Sequence, residues 1–163
     1  MMKRLMTIPL LLFALVLTAA PVSAGPPAEA NGDWSYVPFG IEVVPGPGQT
    51  TFIYGEDTGT WSGTFDGTST EEFVIVNHAN NGFNFYRGVV EFTGSVDGRF
   101  GTVTIKTNGK QDPGTVAPGP GLWSGHWVIV GGTGDLANLH GHGTFSGPSL
   151  FLDYEGQYHF SEK

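Results

Sequence analysis

Toward its C-terminal end the chain alternates apolar and polar residues with a period of two. Leu152, Tyr154, Tyr158 and Phe160 fall on one side of an extended backbone, and Asp153, Glu155, Gln157 and His159 on the other. That period belongs to a strand with one face in a core. The same rhythm runs upstream. "TGTWSGTF", the dipeptide Asp66-Gly67 and "STEEFVIVNH" predict a hairpin, with Asp-Gly supplying the positive φ of a tight turn. "NFYRGVVEFTGSV", Asp97-Gly98 and "RFGTVTIKTNG" predict a second hairpin of the same kind. "LWSGHWVIVGG" predicts a further strand, and "GTFSG" with "LFLDYEGQYHF" predict a last pair joined near Gly147-Pro148. "WSYVPFGIEVVPGPGQTTFIYG" holds one or two strands broken at residues 45–48. Residues 110–121, "KQDPGTVAPGPG", read as a loop, because proline brings no N–H to a ladder.

An aromatic residue, a small hydroxyl residue and a glycine recur as Trp61-Ser62-Gly63, Phe92-Thr93-Gly94, Trp123-Ser124-Gly125 and Phe145-Ser146-Gly147. Alternation puts the ring and the glycine on one face and the hydroxyl on the other. An inward glycine relieves crowding where a small barrel curves hardest. About eight strands without a central helix must hide their edges, in a sandwich or a closed barrel. The reading is all-β: a single closed eight-stranded antiparallel barrel over residues 34–163, behind a flexible leader at 25–33. Its inward list is rich in rings: Trp61, Phe65, Tyr86, Phe92, Trp123, Trp127, Phe145, Tyr154, Tyr158 and Phe160.

The N-terminal segment changes the picture of where such a barrel works. Lys3 and Arg4 precede an apolar run, and Val22-Ser23-Ala24 offers small residues for cleavage. Residues 1–24 therefore read as a secretory signal peptide, and the apolar run is short for a membrane span. The expected location is secreted or periplasmic. Removing this segment takes away two of the seven basic residues and none of the fifteen acidic ones, for a net charge of −10. A surface of that sign repels nucleic acid and anionic lipid. The chain has no cysteine, so no disulfide staples it, and stability rests on packing and sheet closure. No cofactor signature, P-loop, Gly-x-Ser-x-Gly elbow or cysteine nucleophile occurs.

"GGTGDLANLHGHGTFSG", residues 131–147, carries the one conspicuous cluster of potential ligands. The glycines make a turn, and Asp135 is placed to cap one helical turn over "LANL". Beyond it His140, His142 and Thr144 share a face, opposite Leu139, Gly141, Gly143 and Phe145. His140 and His142 are weak metal candidates, since a His-x-His pair needs further ligands to converge. The apolar opposite face sends both outward, and no metal is expected.

With its aromatic last strand, this stretch resembles the allene oxide cyclase and dirigent-type barrel superfamily. It is closer to a family of small bacterial proteins of unknown function assigned to that barrel. "EFTGSVDGRFGTVTI" and "GTWSGTFDGTSTEEF" are similar to the same family, over roughly residues 58–160. The resemblance implies an eight-stranded antiparallel barrel, often a symmetric homo-oligomer, and a bacterial source. It implies no cyclase reaction, because no catalytic motif of the plant enzymes maps onto this chain.

An eight-stranded barrel either packs solid or holds one small ligand. Trp61, Tyr86, Trp127, Tyr154 and Tyr158 are the candidate ligand-binding residues: large apolar walls with hydrogen-bonding tips. Glu72, His78 and His126 are weak acid–base candidates. Glu72 and His78 share one face of "EEFVIVNH", while Glu71 shares the other with Phe73 and Ile75, and alternation alone leaves the inward face open. The leading expectation is a secreted barrel that binds a small apolar or aromatic molecule in its interior. The alternative is an isomerase or cyclase acting on a reactive hydrophobic substrate. A further alternative is a small outer-membrane barrel, against which stand predicted strands shorter than the roughly 9–11 residues of a span.

Overall fold

The computed structural model describes residues 26–78, 82–112 and 121–161. Its strands are β1 (Ala28–Pro45), β2 (Thr50–Gly63), β3 (Phe65–His78), β4 (Asn84–Val96), β5 (Arg99–Gln111), β6 (Leu122–Gly132), β7 (Leu139–Pro148) and β8 (Phe151–Phe160). A 3-10 turn, Gly134–Leu136, lies between β6 and β7. Every strand pairs antiparallel with the next, and β8 returns to pair with β1, so the sheet is a ring. The fold is all-β, as alternation predicts. The expected signal peptide and residues 113–120 of the expected loop lie outside the described residues.

The ring interior is aromatic. Trp34 stacks on Trp61 at 4.7 Å, and Phe65 meets Phe92 edge-on at 5.6 Å and Trp127 at 5.9 Å. The polar tips of Trp61 and Tyr154 are satisfied locally, as interiors require. Trp61 Nε1 donates to Ser69 Oγ at 3.0 Å. Tyr154 OH accepts from Phe65 N at 2.9 Å and donates to Ser62 O at 3.0 Å. Leu136 and Leu139 are buried and pack into the same core at the end that carries the 3-10 turn. The hydroxyls of the repeated triplets point outward as alternation requires, with Ser62, Thr93, Ser124 and Ser146 all exposed, but Gly63 is exposed as well, at the β2–β3 turn. Gly125 leaves room for Phe145, whose Cε1 would lie 2.7 Å from a methyl group there.

Four expectations are corrected. Residues 28–33, expected in a flexible leader, are the start of β1, where Ala28–Ser35 hydrogen-bonds to β8 and closes the ring. Asp66-Gly67 is not a turn but part of β3; the β2–β3 turn falls at Gly63-Thr64, with Gly63 at φ 100°. That turn is held on β1, since Thr64 N donates to Asn31 O at 2.9 Å and Asn31 N to Thr64 Oγ1 at 3.1 Å. The helical turn begins at Gly134, with Thr133 rather than Asp135 before it. Thr133 is tied to β5 through its N–H to Thr102 O at 2.9 Å and its hydroxyl to that of Thr102 at 2.7 Å. Finally, the strands run from 10 to 18 residues, so their length is no argument against a membrane-spanning ring.

Candidate functional site

Counting by two from buried Trp61 along β2 reaches Gly59 and then Asp57; counting by two from buried Phe65 along β3 reaches Ser69 and then Glu71. Alternation therefore turns both carboxyls inward, and the β2–β3 register sets them directly opposite each other. Asp57 and Glu71 are each only 2% exposed. The two carboxyls hydrogen-bond to each other. Tyr86 OH on β4 donates to Glu71 Oε1, and Thr107 Oγ1 on β5 lies 3.0 Å from both Glu71 Oε1 and Tyr86 OH. Gly88 makes the space: a methyl group there would overlap Glu71 Oε1 and lie 2.8 Å from Thr107 Oγ1.

Burial disfavours the charged forms. It raises Asp57 to about 6, against a smaller opposing effect of the hydrogen bond from Glu71. Burial, and next the charge of Asp57, push Glu71 up to about 8. Burial and the charge of Glu71 raise the Tyr86 phenol well above its ordinary value. Burial and mutual repulsion raise both carboxyls, so the two titrate as a pair that favours keeping a proton between them near neutral pH.

The carboxyl pair forms the floor of a recess at the end of the ring where β3 leads to β4 and β7 to β8. Its walls are Trp34, Tyr36, Phe73, Tyr86, Trp123 and Phe145, with a cavity of about 40 Å³. Two buried polar atoms on its lining have no hydrogen-bond partner among the described residues: Trp34 Nε1, a donor, and Asp57 Oδ1, an acceptor. Beside the recess Asn77 Nδ2 donates to Asn84 Oδ1, and Asn84 Nδ2 to Gln111 Oε1, both at 2.6 Å, pinning β3, β4 and β5. A larger groove of about 690 Å³ lies at the opposite end beside Asp97, Arg99 and Asn138, but among the described residues it holds no unpartnered buried group.

Of the residues singled out from sequence, Tyr86 lines this recess. Trp61, Trp127, Tyr154 and Tyr158 are buried in the core. Trp127 Nε1 lies 3.2 Å from both Thr144 O and Glu155 O, and Tyr158 OH donates to Asp97 Oδ2 at 2.5 Å. Glu72 is exposed on the outer face, so Glu71 and not Glu72 is the interior carboxyl of β3. His78 is half-buried beside Thr50 Oγ1 at 3.3 Å, and His126 is exposed. The structure brings none of these three together. His140 and His142 are exposed, and His140 stacks on His159 at 5.2 Å. Among the described residues no three His, Cys, Asp or Glu side chains are placed to hold a metal ion.

The sequence pattern singles out none of Asp57, Trp34 and Tyr36, and it leaves the face of Glu71 open. The missed signal was the count by two from Trp61 and Phe65. A turn assigned at Asp66-Gly67 breaks that count just before Glu71.

Residues 41–154 match the model of a family of proteins of unknown function, DUF3224. The chain belongs to the DUF3224 family. The DUF3224 segment takes in Asp57, Glu71, Tyr86, Gly88 and Thr107, while Trp34 and Tyr36 precede it. A crystal structure at 1.84 Å of a DUF3224 protein of unknown function from Shewanella oneidensis MR-1 is similar, with a TM-score of 0.67 at 19% identity. The alignment covers 85% of this chain and 100% of that one, and it shows a shared fold. No curated protein matches the chain.

Proposed function

We propose that this DUF3224 protein binds a small, largely apolar aromatic molecule at the recess over Asp57 and Glu71. One observation carries the reading: six aromatic side chains wall a small opening whose floor is polar, while the core beyond it is packed with aromatic and aliphatic side chains. Mostly apolar walls with a few converging polar groups are the ordinary form of a small-molecule site. The cavity of about 40 Å³ accepts a head group rather than a whole ring, so the body of the ligand rests among Tyr36, Phe73 and Trp123 at the mouth. Trp34 and Trp123 report on occupancy. Titrating simple aromatic compounds should quench or shift tryptophan fluorescence, and Phe73→Ser should weaken the effect. Unchanged fluorescence and no heat of binding with any aromatic probe would end the reading.

A second reading, an isomerase, is favoured by the carboxyl pair itself. Two carboxyls that share a proton against an apolar wall are suited to taking a proton from one carbon and returning it to another. Exchange of a bound ligand's C–H for solvent deuterium, lost in Glu71→Gln, is the expected sign. Exchange that is equally fast in that variant would remove Glu71 from the chemistry.

The setting is part of the proposal. The signal-like segment at 1–24 supports a secreted or periplasmic protein. An outer face rich in exposed Thr58, Thr60, Thr68, Thr70, Glu72 and Lys106 supports an exterior in water, with no stable membrane insertion. The ring of eight strands and the glycine-rich approach to β7 support kinship with the allene oxide cyclase and dirigent-type barrels.

A further inference from the structure

The two unpartnered atoms of the recess differ in kind. Trp34 Nε1 can only donate, and Asp57 Oδ1 accepts when its carboxyl is ionised. Both residues are 2% exposed, so neither atom is served by bulk water. A buried donor and a buried acceptor left unmet are each costly, and they select strongly for a ligand that meets both. The other polar groups of the floor are already engaged: Tyr86 and Thr107 hydrogen-bond with Glu71 and with each other. Gly59 keeps the indole edge free, since a methyl group there would come within 2.7 Å of Trp34 Nε1.

We infer that the recess recognises a hydroxyl group carried on an aromatic or apolar body, a phenol or an arylalkanol, whose oxygen accepts from Trp34 Nε1 and whose proton goes to Asp57 Oδ1. The inference rests on the binding proposal above and names the class of ligand. A hydroxyl is the smallest group that both accepts and donates at one atom, and it suits a cavity of about 40 Å³. An ether accepts but cannot donate, a hydrocarbon does neither, and an ammonium leaves the indole N–H unmet.

The test is calorimetry on the mature protein at pH 7 with phenol, anisole, toluene and benzylamine. Phenol should bind at least tenfold more tightly than anisole and toluene. In Trp34→Phe, which keeps a ring but removes the donor, the preference of phenol over toluene should collapse while toluene binding persists. Asp57→Leu, which removes a buried carboxyl, should abolish the preference of phenol over anisole. The comparison within the unaltered protein stands even if Trp34→Phe fails to fold. Equal affinity for phenol, anisole and toluene overturns the hydroxyl inference and leaves the binding proposal intact. Tighter binding of benzylamine overturns it in favour of a cation site. Failure of all four probes overturns the binding proposal and the inference with it.

Discussion

Glu71 occupies space that Gly88 leaves open, and Tyr86 and Thr107 hold it there. Its protonation is therefore linked to folding. Its folded value of about 8 lies above the ordinary 4.5, and that of Asp57, about 6, above 3.8. A carboxyl raised in the folded state favours folding when protonated. That contribution is complete below about pH 4, and it is lost as pH rises through about 6 for Asp57 and about 8 for Glu71. Urea unfolding should show the protein more stable at pH 5 than at pH 8, by on the order of a few kcal/mol. Glu71→Gln should flatten that dependence, and a slope unchanged in the variant would place the titration elsewhere.

Two Asp-Gly pairs separate at the scale of elements. Asp97 and Gly98 both have positive φ, 53° and 70°, and form the β4–β5 hairpin turn as their sequence predicts. Asp66-Gly67 has the same letters but lies within β3, where Gly67 faces Gly94 across the pair and a methyl group would overlap Thr93 O. The costs of substitution differ accordingly. Gly98→Ala meets open space and pays only backbone strain, about 1 kcal/mol. Gly67→Ala must push two strand backbones apart and should cost about 2–3 kcal/mol. Chemical denaturation of the two variants gives the ranking directly. A reader of the sequence sees one motif twice; the difference is made by a strand on the other side, which local propensity does not describe.

Ring closure is a property of the whole molecule, and it depends on residues that look least structured. Ala28–Ser35 is the partner of β8, and Gly32 packs its backbone against Tyr154, whose Cζ would lie 2.8 Å from a methyl group there. A chain that begins at Trp34 leaves most of the β8 edge unpaired and uncovers Tyr158. It should melt roughly 10 °C or more below the intact protein and self-associate, as read by thermal melting and size-exclusion chromatography. An unaltered melting temperature would show that the ring does not need that seam.

Alternation by itself determined that the chain is all-β, the inward rings from Trp61 onward, the second hairpin at Asp97-Gly98 and the strand "LWSGHWVIVGG". Each depends on residues close in sequence, where a period of two and a turn dipeptide act directly on the backbone. The recess over Asp57 and Glu71 was decided only by the tertiary structure. It draws side chains from seven strands, and its meaning comes from burial and register: a carboxyl becomes an acid near neutral pH because another carboxyl stands opposite it out of water. The same holds for β1, whose first residues are polar and small and become a strand only because β8 brings an edge to them.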